Sequence, residues 1–232
     1  MKKAESASGT QIPECGFTTR ATCFHKQGKT LMTKNQILVS KAISYVLRHN
    51  PSQFGIELDS EGWVDIDVLC KAVETHNPYA YVTRKGIEDI IAASEKKRFE
   101  IKGDKIRATY GHSIEQKIEY VPQEPPAVLY HGTTHQAYRE IAGLSGKGLK
   151  PMGRQYVHLS SDIKTAITVG KRRDPNPIVF AINAGMMYDD GIKFYHTGND
   201  TTWLCESVPK YYIKNVHEAS DFLGKNGDDN AQ

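Results

Sequence analysis

An arginine and a histidine stand side by side where a predicted helix ends, and they are the first candidates for chemistry in this chain. Apolar residues recur at helical spacing over residues 36–49, and Asn50-Pro51 must end the helix, since proline lacks an N–H and pushes its predecessor out of the α region. Arg48 and His49 therefore project from a helix end. Two interpretations stay open: the pair only complements the helix dipole, or it binds an anion in a cleft.

Two more arginines suit the same chemistry. Arg107 lies on the second strand of a predicted hairpin, and Arg154 comes shortly before another predicted strand. A guanidinium binds phosphate in a bidentate manner and stays charged at every working pH. If they converge with Arg48 and His49, the four cations suit a highly anionic ligand, but the sequence alone leaves that convergence open.

Two histidines occupy similar settings on later strands. His131 precedes Gly132-Thr133, and His158 is followed by a leucine and then Ser160. Glycine allows a ligand close to the backbone, and hydroxyls bind ribose or phosphate oxygens. The alternative is that each histidine is structural. Neither has a cysteine or carboxylate at zinc-ligand spacing, so we expect no metal.

Composition sets the class of protein. The chain has 232 residues, 39% hydrophobic and 25% charged, with a net charge of +3, which fits a soluble globular protein and neither requires nor excludes a nucleic-acid partner. It has no membrane-spanning run and no signal-peptide core. We expect a monomeric intracellular protein in the cytoplasm, with the nucleus as the alternative. Its four cysteines should be reduced thiols, with Cys70 in a core.

A proline-rich stretch, 121–127, divides the chain. Before it, three helices and a hairpin are typical of a winged-helix module; after it, strands dominate in a mixed domain. The predicted fold class is α+β with two lobes. The predicted divisions are a flexible extension (1–32), the winged-helix lobe (33–120), the linker (121–127), the second lobe (128–217) and a flexible tail (218–232).

Local signals predict several elements. Gly55–Leu58 is predicted as a short strand, Asp65 and Thr83 as helix caps, and Ser161 as the cap of a later helix. The hairpin around Gly103-Asp104 is basic, with six basic and three acidic residues over 95–107. Composition favours two interpretations equally. The hairpin is a charged surface exposed to solvent, or it binds the phosphate backbone of a nucleic acid.

Short motifs in a fixed order resemble the NAD-dependent RNA 2′-phosphotransferases of the KptA family, over roughly residues 36–213. They are Leu47-Arg48-His49-Asn50-Pro51, Leu58–Val64, Lys96–Phe99, Ile106-Arg107-Ala108, Gly111-His112-Ser113, Leu129–Thr133, Val157–Ser160, Val169–Arg172, Trp203-Leu204 and Val208-Pro209.

The resemblance implies an N-terminal winged-helix lobe that binds RNA and a C-terminal lobe like the ADP-ribosyltransferases. It also implies a two-step reaction with NAD as co-substrate. The internal 2′-phosphate of an RNA, such as a tRNA splice junction, is ADP-ribosylated with loss of nicotinamide. The ribose 2″-hydroxyl then attacks the phosphorus, releasing 2′-hydroxyl RNA and ADP-ribose 1″,2″-cyclic phosphate.

The resemblance also implies three groups of site residues. The catalytic group is Arg48, His49, Arg107 and Arg154; the NAD group is His131, Gly132, Thr133, His158, Leu159, Ser160, Gly170 and Arg172; the RNA group is Lys96, Lys97, Arg98, Lys105, His112 and Ser113. We hypothesise that His49, favoured as the protonated form by its helix end, donates a proton to the leaving RNA oxygen.

Two departures matter for the alternatives. Val208 stands where many ADP-ribosyltransferases carry a catalytic glutamate, which disfavours protein modification; we interpret nearby Glu206 as structural. Thr109-Tyr110 replaces an Asn-Gln that is frequent in the family. The remaining alternatives are an enzyme that caps terminal phosphates of RNA or DNA with ADP-ribose, and a non-catalytic winged-helix protein that senses ADP-ribose.

Overall fold

The computed structural model describes four stretches of the chain, residues 32–76, 82–94, 96–198 and 201–220. Within them, helices pack beside two antiparallel sheets, so the predicted α+β class is confirmed. No helix in these stretches combines the length and the apolar character needed to cross a membrane.

The first half of the described chain forms three helices and a small sheet with the strand order β1-β3-β2. The elements are α1 (Lys34–Arg48), β1 (Val64–Asp65), α2 (Ile66–His76), α3 (Arg84–Ala93), β2 (Phe99–Lys102) and β3 (Lys105–Ala108). They enclose one apolar core, whose most buried side chains include Ile43, Leu47, Ile66, Leu69, Ile87 and Ile106. Cys70 also lies in this core, as predicted.

Side-chain caps fix the helix starts in this half. Thr33 caps α1 in a reciprocal box with Gln36, whose amide oxygen accepts the Thr33 N–H at 2.8 Å. The predicted caps Asp65 and Thr83 are confirmed, since each side-chain oxygen accepts backbone N–H groups of the following first turn.

The strand predicted over Gly55–Leu58 is wrong. Gly55 is left-handed, with φ of +64°, and ends a 3-10 turn over Ser52–Phe54. The N–H of Ile56 donates to the carbonyl of Pro51 at 3.0 Å. These bonds fold the segment back onto the end of α1, so the sheet takes its outer strand from Val64–Asp65 instead.

The second half forms a six-stranded antiparallel sheet with the order β7-β8-β5-β4-β6-β9. The elements are β4 (Val128–Thr133), α4 (His135–Ala142), β5 (Val157–Ser160), α5 (Ile163–Gly170), β6 (Ile178–Asn183), α6 (Ala184–Asp189), β7 (Phe194–His196), β8 (Thr202–Cys205) and β9 (Ile213–Glu218). Its core includes the fully buried Leu129, Phe180, Ile182 and Phe194. Sequence patterns did not predict α6.

Helix α5 is capped by Asp162 rather than by the predicted Ser161. The Asp162 carboxylate accepts the backbone N–H groups of Lys164 (3.3 Å) and Thr165 (2.8 Å). A carboxylate offers two acceptor oxygens and a negative charge to the positive helix end, so it is the better cap of the two neighbours.

The described residues at the lobe boundaries remain packed. Met32, predicted within the extension, lies against the first core; the rest of the extension is outside the described residues. Glu218, predicted within the tail, still belongs to β9 and Ala219 is buried, while 221–232 lie outside the described residues. In the predicted linker, Pro122 pairs with Tyr195 at the edge of the sheet, where proline is tolerated.

Candidate active site

Arg48 is the last residue of α1, and two aromatic rings support its guanidinium. Its Cζ lies 4.9 Å from the ring centroid of Tyr110 and 6.0 Å from that of Phe99. Its one hydrogen bond among the described residues is from Nη2 to the Arg98 carbonyl, at 3.3 Å. Its Nε is buried without a partner. Since no described carboxylate pairs with it, its charge is available to an anionic ligand.

His49 follows Arg48 and points to the segment after β3. Its Nδ1 lies 2.8 Å from Ser113 Oγ, and the Ser113 N–H donates to the Arg48 carbonyl at 2.9 Å. Partial burial, then the charges of Arg48 and Arg154, lower the pKa of His49 below its usual value. Burial and the two guanidiniums therefore oppose the expected preference of the helix end for a protonated His49 in the free protein.

Arg154 belongs to the second half but shares the electrostatics of Arg48. Desolvation, then Arg172, lowers the pKa of Arg154, and Arg173 also contributes. Arg154 in turn lowers the pKa of Arg48, after the larger lowering effects of burial and Arg98. Its guanidinium has no hydrogen bond or ion pair within the described stretches. The site thus gathers unneutralised positive charge from both halves.

Tyr110 and His158 lie between these cations. Their ring centroids are 6.0 Å apart, with the planes at 70°. His158 Nδ1 donates to the Tyr156 carbonyl at 3.0 Å, so its Nε2 is the unprotonated acceptor, buried without a partner. Burial, then Arg154, lowers the pKa of His158 to about 3. The ring is neutral and offers a free lone pair beside the cations.

Arg107 stands apart, because two carboxylates and a ring engage its guanidinium. It contacts Glu100 at 2.7 Å and Glu61 at 3.4 Å, and its Cζ lies 4.4 Å above the Trp63 ring. Its charge still reaches the site weakly, as one of several cations that lower the pKa of His112, after burial, Arg48 and His49. Arg48, His49 and Arg154 therefore share one electrostatic environment, whereas Arg107 is neutralised within the hairpin sheet.

His131 belongs to the same network as His158. Its Nδ1 donates to the His158 carbonyl at 2.9 Å, and burial lowers the pKa of His131. Thr133 ends the same strand. Ser160 is buried and accepts the N–H of Asp162 at 3.3 Å, so its hydroxyl is oriented toward the start of α5.

Gly132 is needed for the packing of a helix on its strand. A Cβ at Gly132 would lie 2.0 Å from the carbonyl oxygen of Ala166 in α5. Gly170 is crowded in the same way, since a Cβ there would lie 2.6 Å from Pro177. Gly132 lets α5 lie directly on β4, and Gly170 lets the end of α5 lie against Pro177, just before β6. The side chain of Leu159 belongs to the core.

The predicted RNA residues are dispersed around the hairpin. Lys105 pairs with Asp59 at 3.4 Å. Lys96, Lys97 and Arg98 lead into β2, and Ser113 contacts His49. His112 is only 3% exposed, and its Nδ1 lies 3.3 Å from the Tyr120 hydroxyl. Its ring therefore supports the site from within instead of offering a surface for RNA.

Gln155 is a residue that sequence reasoning missed. Its Oε1 accepts the Ile118 N–H at 3.0 Å, and its Nε2 donates to the carbonyls of Ile114 (2.8 Å) and Gln116 (2.7 Å). Its own N–H donates to the His112 carbonyl at 3.0 Å. It thus fastens the Ser113 segment to the strand that carries His158. The one available signal was its position beside Arg154.

Val208, which stands where many ADP-ribosyltransferases carry a catalytic glutamate, has no acidic side chain close to it in the sequence except Glu206. Val208 is fully buried in the core, and Glu206 forms an ion pair with Lys117. The pairing agrees with a structural role for Glu206. Among the described residues, no group of three or more histidine, cysteine, aspartate or glutamate side chains could hold a metal ion.

Comparisons with known proteins agree on one family. The family model described as RNA 2′-phosphotransferase, Tpt1 / KptA family, matches residues 34–207. A protein of Acetivibrio thermocellus named "Probable RNA 2′-phosphotransferase" is 48% identical over 76% of this chain and 94% of its own length. A protein of the same name from Bacillus thuringiensis is 44% identical over 75% and 92%. "Probable RNA 2′-phosphotransferase 1" of Archaeoglobus fulgidus is 37% identical over 87% and 92%.

Proposed function

The chain belongs to the RNA 2′-phosphotransferase family, and from this premise we propose that it transfers the internal 2′-phosphate of RNA to NAD. The products are RNA with a 2′-hydroxyl, ADP-ribose 1″,2″-cyclic phosphate and nicotinamide. We further propose that the first half is a winged-helix RNA lobe and the second an ADP-ribosyltransferase-like lobe. Three helices with a three-stranded sheet, and a six-stranded antiparallel sheet, support this division.

One observation carries the proposal: Arg48 and Arg154 bring unneutralised positive charge from both halves to one place, beside His49. Arg48 presents a buried Nε without a partner, and Arg154 has no ion pair in the described stretches. A dianionic phosphate supplies the acceptors and the negative charge that this arrangement lacks.

The proposed reaction at the 2′-phosphate needs cationic side chains more than it needs a general base. A 2′-phosphate is already ionised at neutral pH, so the first step needs a group that holds and orients it, which two guanidiniums do. In the second step, charge shifts among the phosphoryl oxygens, and the same guanidiniums stabilise it. This accounts for an active site without a glutamate at Val208.

His49 acts as a proton donor after RNA binds. In the free protein its pKa is lowered, but a phosphate dianion beside it favours the imidazolium. Ser113 orients the ring through Nδ1, which leaves Nε2 to face the leaving RNA oxygen.

NAD fits the second half by the chemistry of its residues. The unpartnered Nε2 of His158 accepts a hydrogen bond from a ribose hydroxyl, and the hydroxyls of Thr133 and Ser160 bind further polar atoms. Arg172, which interacts electrostatically with Arg154, suits a diphosphate. When bound, NAD supplies the electrophilic ribose carbon and the nicotinamide leaving group.

The test uses the whole chain, NAD and an oligoribonucleotide with one internal 2′-phosphate. The appearance of RNA with a 2′-hydroxyl together with ADP-ribose 1″,2″-cyclic phosphate supports the proposal. Nicotinamide release with a stable RNA adduct supports the terminal-capping alternative instead, and no NAD turnover with tight RNA binding supports the non-catalytic one. An oligonucleotide with only a 5′-phosphate is the matched control substrate.

A further inference from the structure

Tyr110 lies at the centre of the cation site, although no sequence argument gave it a role. Its ring faces the Arg48 guanidinium at 4.9 Å and meets the His158 ring at 6.0 Å. Arg48 comes from the first half and His158 from the second, so a single ring contacts groups from both.

The Arg48 guanidinium needs the support of the Tyr110 ring, because few other groups fix its position. The side chain passes over Gly111, where a Cβ would lie 3.5 Å from Cδ and 3.7 Å from Nε. Gly111 has φ of +90°, a left-handed value that favours glycine and lets the chain turn beneath Arg48. Besides this turn, the Tyr110 ring and the more distant Phe99 ring, the guanidinium has only the 3.3 Å hydrogen bond to the Arg98 carbonyl among the described residues.

An aromatic ring holds a guanidinium without consuming its charge. A carboxylate would fix Arg48 more firmly, but it would also compete with an anionic ligand, as Glu100 does at Arg107. The π-face of Tyr110 attracts the cation and leaves its N–H edges open. Arg107 also lies over a ring, that of Trp63, but Glu100 and Glu61 neutralise it, whereas Arg48 keeps its charge for an anionic ligand.

We propose that Tyr110 is a positioning residue that orients the Arg48 guanidinium for the 2′-phosphate of RNA, through its ring and not through its hydroxyl. The proposal rests on the proposed function.

The alternative is that Tyr110 only fills space, since it packs near the aromatic cluster of Tyr120, Tyr156 and Tyr195. Tyr195 provides the matched control. It is buried in the same cluster and contacts the rings of Tyr120 and Tyr156, but no guanidinium of the described residues contacts its ring.

The experiment measures binding of two oligoribonucleotides by the full chain without NAD, identical except for one internal 2′-phosphate. We expect Tyr110→Leu and Tyr110→Met to weaken binding of the phosphorylated oligonucleotide about tenfold, with unchanged binding of the other. Tyr110→Phe should stay within about twofold of the parent, because the ring remains. Tyr195→Leu should lower the melting temperature without changing the preference for phosphate.

Two results overturn the proposal. One is a phosphate preference in Tyr110→Leu and Tyr110→Met equal to that of the parent. The other is an equal loss in Tyr110→Phe, which would assign the effect to the hydroxyl. Steady-state turnover separates this proposal from the function: if the parent chain binds the 2′-phosphate but never turns over NAD, the proposed reaction fails while the role of Tyr110 in phosphate binding stands.

Discussion

The Nδ1 of His49 lies 2.8 Å from Ser113 Oγ, and the N–H of Ser113 donates to the carbonyl of Arg48, the residue before His49. One serine therefore fixes both the end of α1 and the orientation of the imidazole. It lies next to His112, whose carbonyl accepts the Gln155 N–H. The geometry of Arg48 and His49 thus depends on the His112-Ser113 segment, which Gln155 of the second half holds in place.

Arg48 and His49 should matter far more to turnover than to stability. We expect Arg48→Lys and His49→Ala to lower kcat/KM for the 2′-phosphorylated oligonucleotide about 100-fold or more. The free energy of unfolding should change by about 1 kcal/mol or less, because neither side chain fills the core. Equal losses of activity and stability would favour the interpretation that the pair only complements the helix dipole.

Phosphate should raise the pKa of His49. In the free protein, partial burial and then Arg48 and Arg154 lower this pKa, so removing one cation or adding an anion must move it upward. An NMR titration, with the resonance assigned by its loss in His49→Gln, should show a higher pKa in Arg154→Met and in complexes with the 2′-phosphorylated oligonucleotide. An unchanged pKa in both would exclude His49 from contact with the phosphate.

The protein should lose stability in mild acid because of His112 and His158. The pKa of each is lowered to about 3 in the folded protein, mainly by burial. The unfolded chain binds these protons near a pH of about 6.5, so stability is fully present above that pH. It falls by about 1.4 kcal/mol per pH unit per histidine as the pH drops toward the folded pKa.

Urea unfolding at pH values of about 7.5, 6 and 5 measures this loss, because they span the range in which the unfolded histidines take up protons. His112→Asn and His158→Asn should each flatten the dependence on pH. His76→Asn serves as the control substitution, because this side chain is exposed at the end of α2. A slope that neither of the first two substitutions alters would refute the assignment.

Gly132→Ala should destabilise the fold strongly. The added methyl would meet the backbone carbonyl of Ala166 at 2.0 Å, so α5 must move away from β4. We expect a loss of about 3 kcal/mol, at the upper end of typical overpacking costs. Gly153→Ala is the matched control, because nothing lies within 4 Å of its Cβ position, and it should change the free energy of unfolding by less than about 1 kcal/mol.

Gln155→Glu should impair both stability and catalysis. A carboxylate keeps the acceptor for Ile118 N–H but cannot donate to the carbonyls of Ile114 and Gln116. We expect a loss of about 2 kcal/mol in urea unfolding. The kcat should fall more than KM changes, since the loosened segment carries Ser113. Gln123→Glu, at the edge of the sheet, is the control, and a loss of the same size there would contradict this role.

Local signals account for most of the elements. The caps at Asp65 and Thr83 and the hairpin around Gly103 follow from interactions among residues close in sequence. The errors arose where a neighbour competed: Gly55 joined a turn with Pro51 instead of a strand, and Asp162 replaced Ser161 as a cap.

The α+β class, the family and the residue types of an anion site follow from the sequence alone. Three-dimensional packing selects which of these residues act together, because that depends on side-chain contacts between different segments of the chain. It assigned Arg107 to Glu100 and Glu61, and Gly132 to the packing of α5. It also brought Tyr110 beneath Arg48, and it lowered the pKa of His49 through burial and a cation from the other half. The predicted hairpin already places Glu100 opposite Arg107. Periodicity and spacing do not show the other contacts, since burial and close approach are set only when segments distant in sequence pack together.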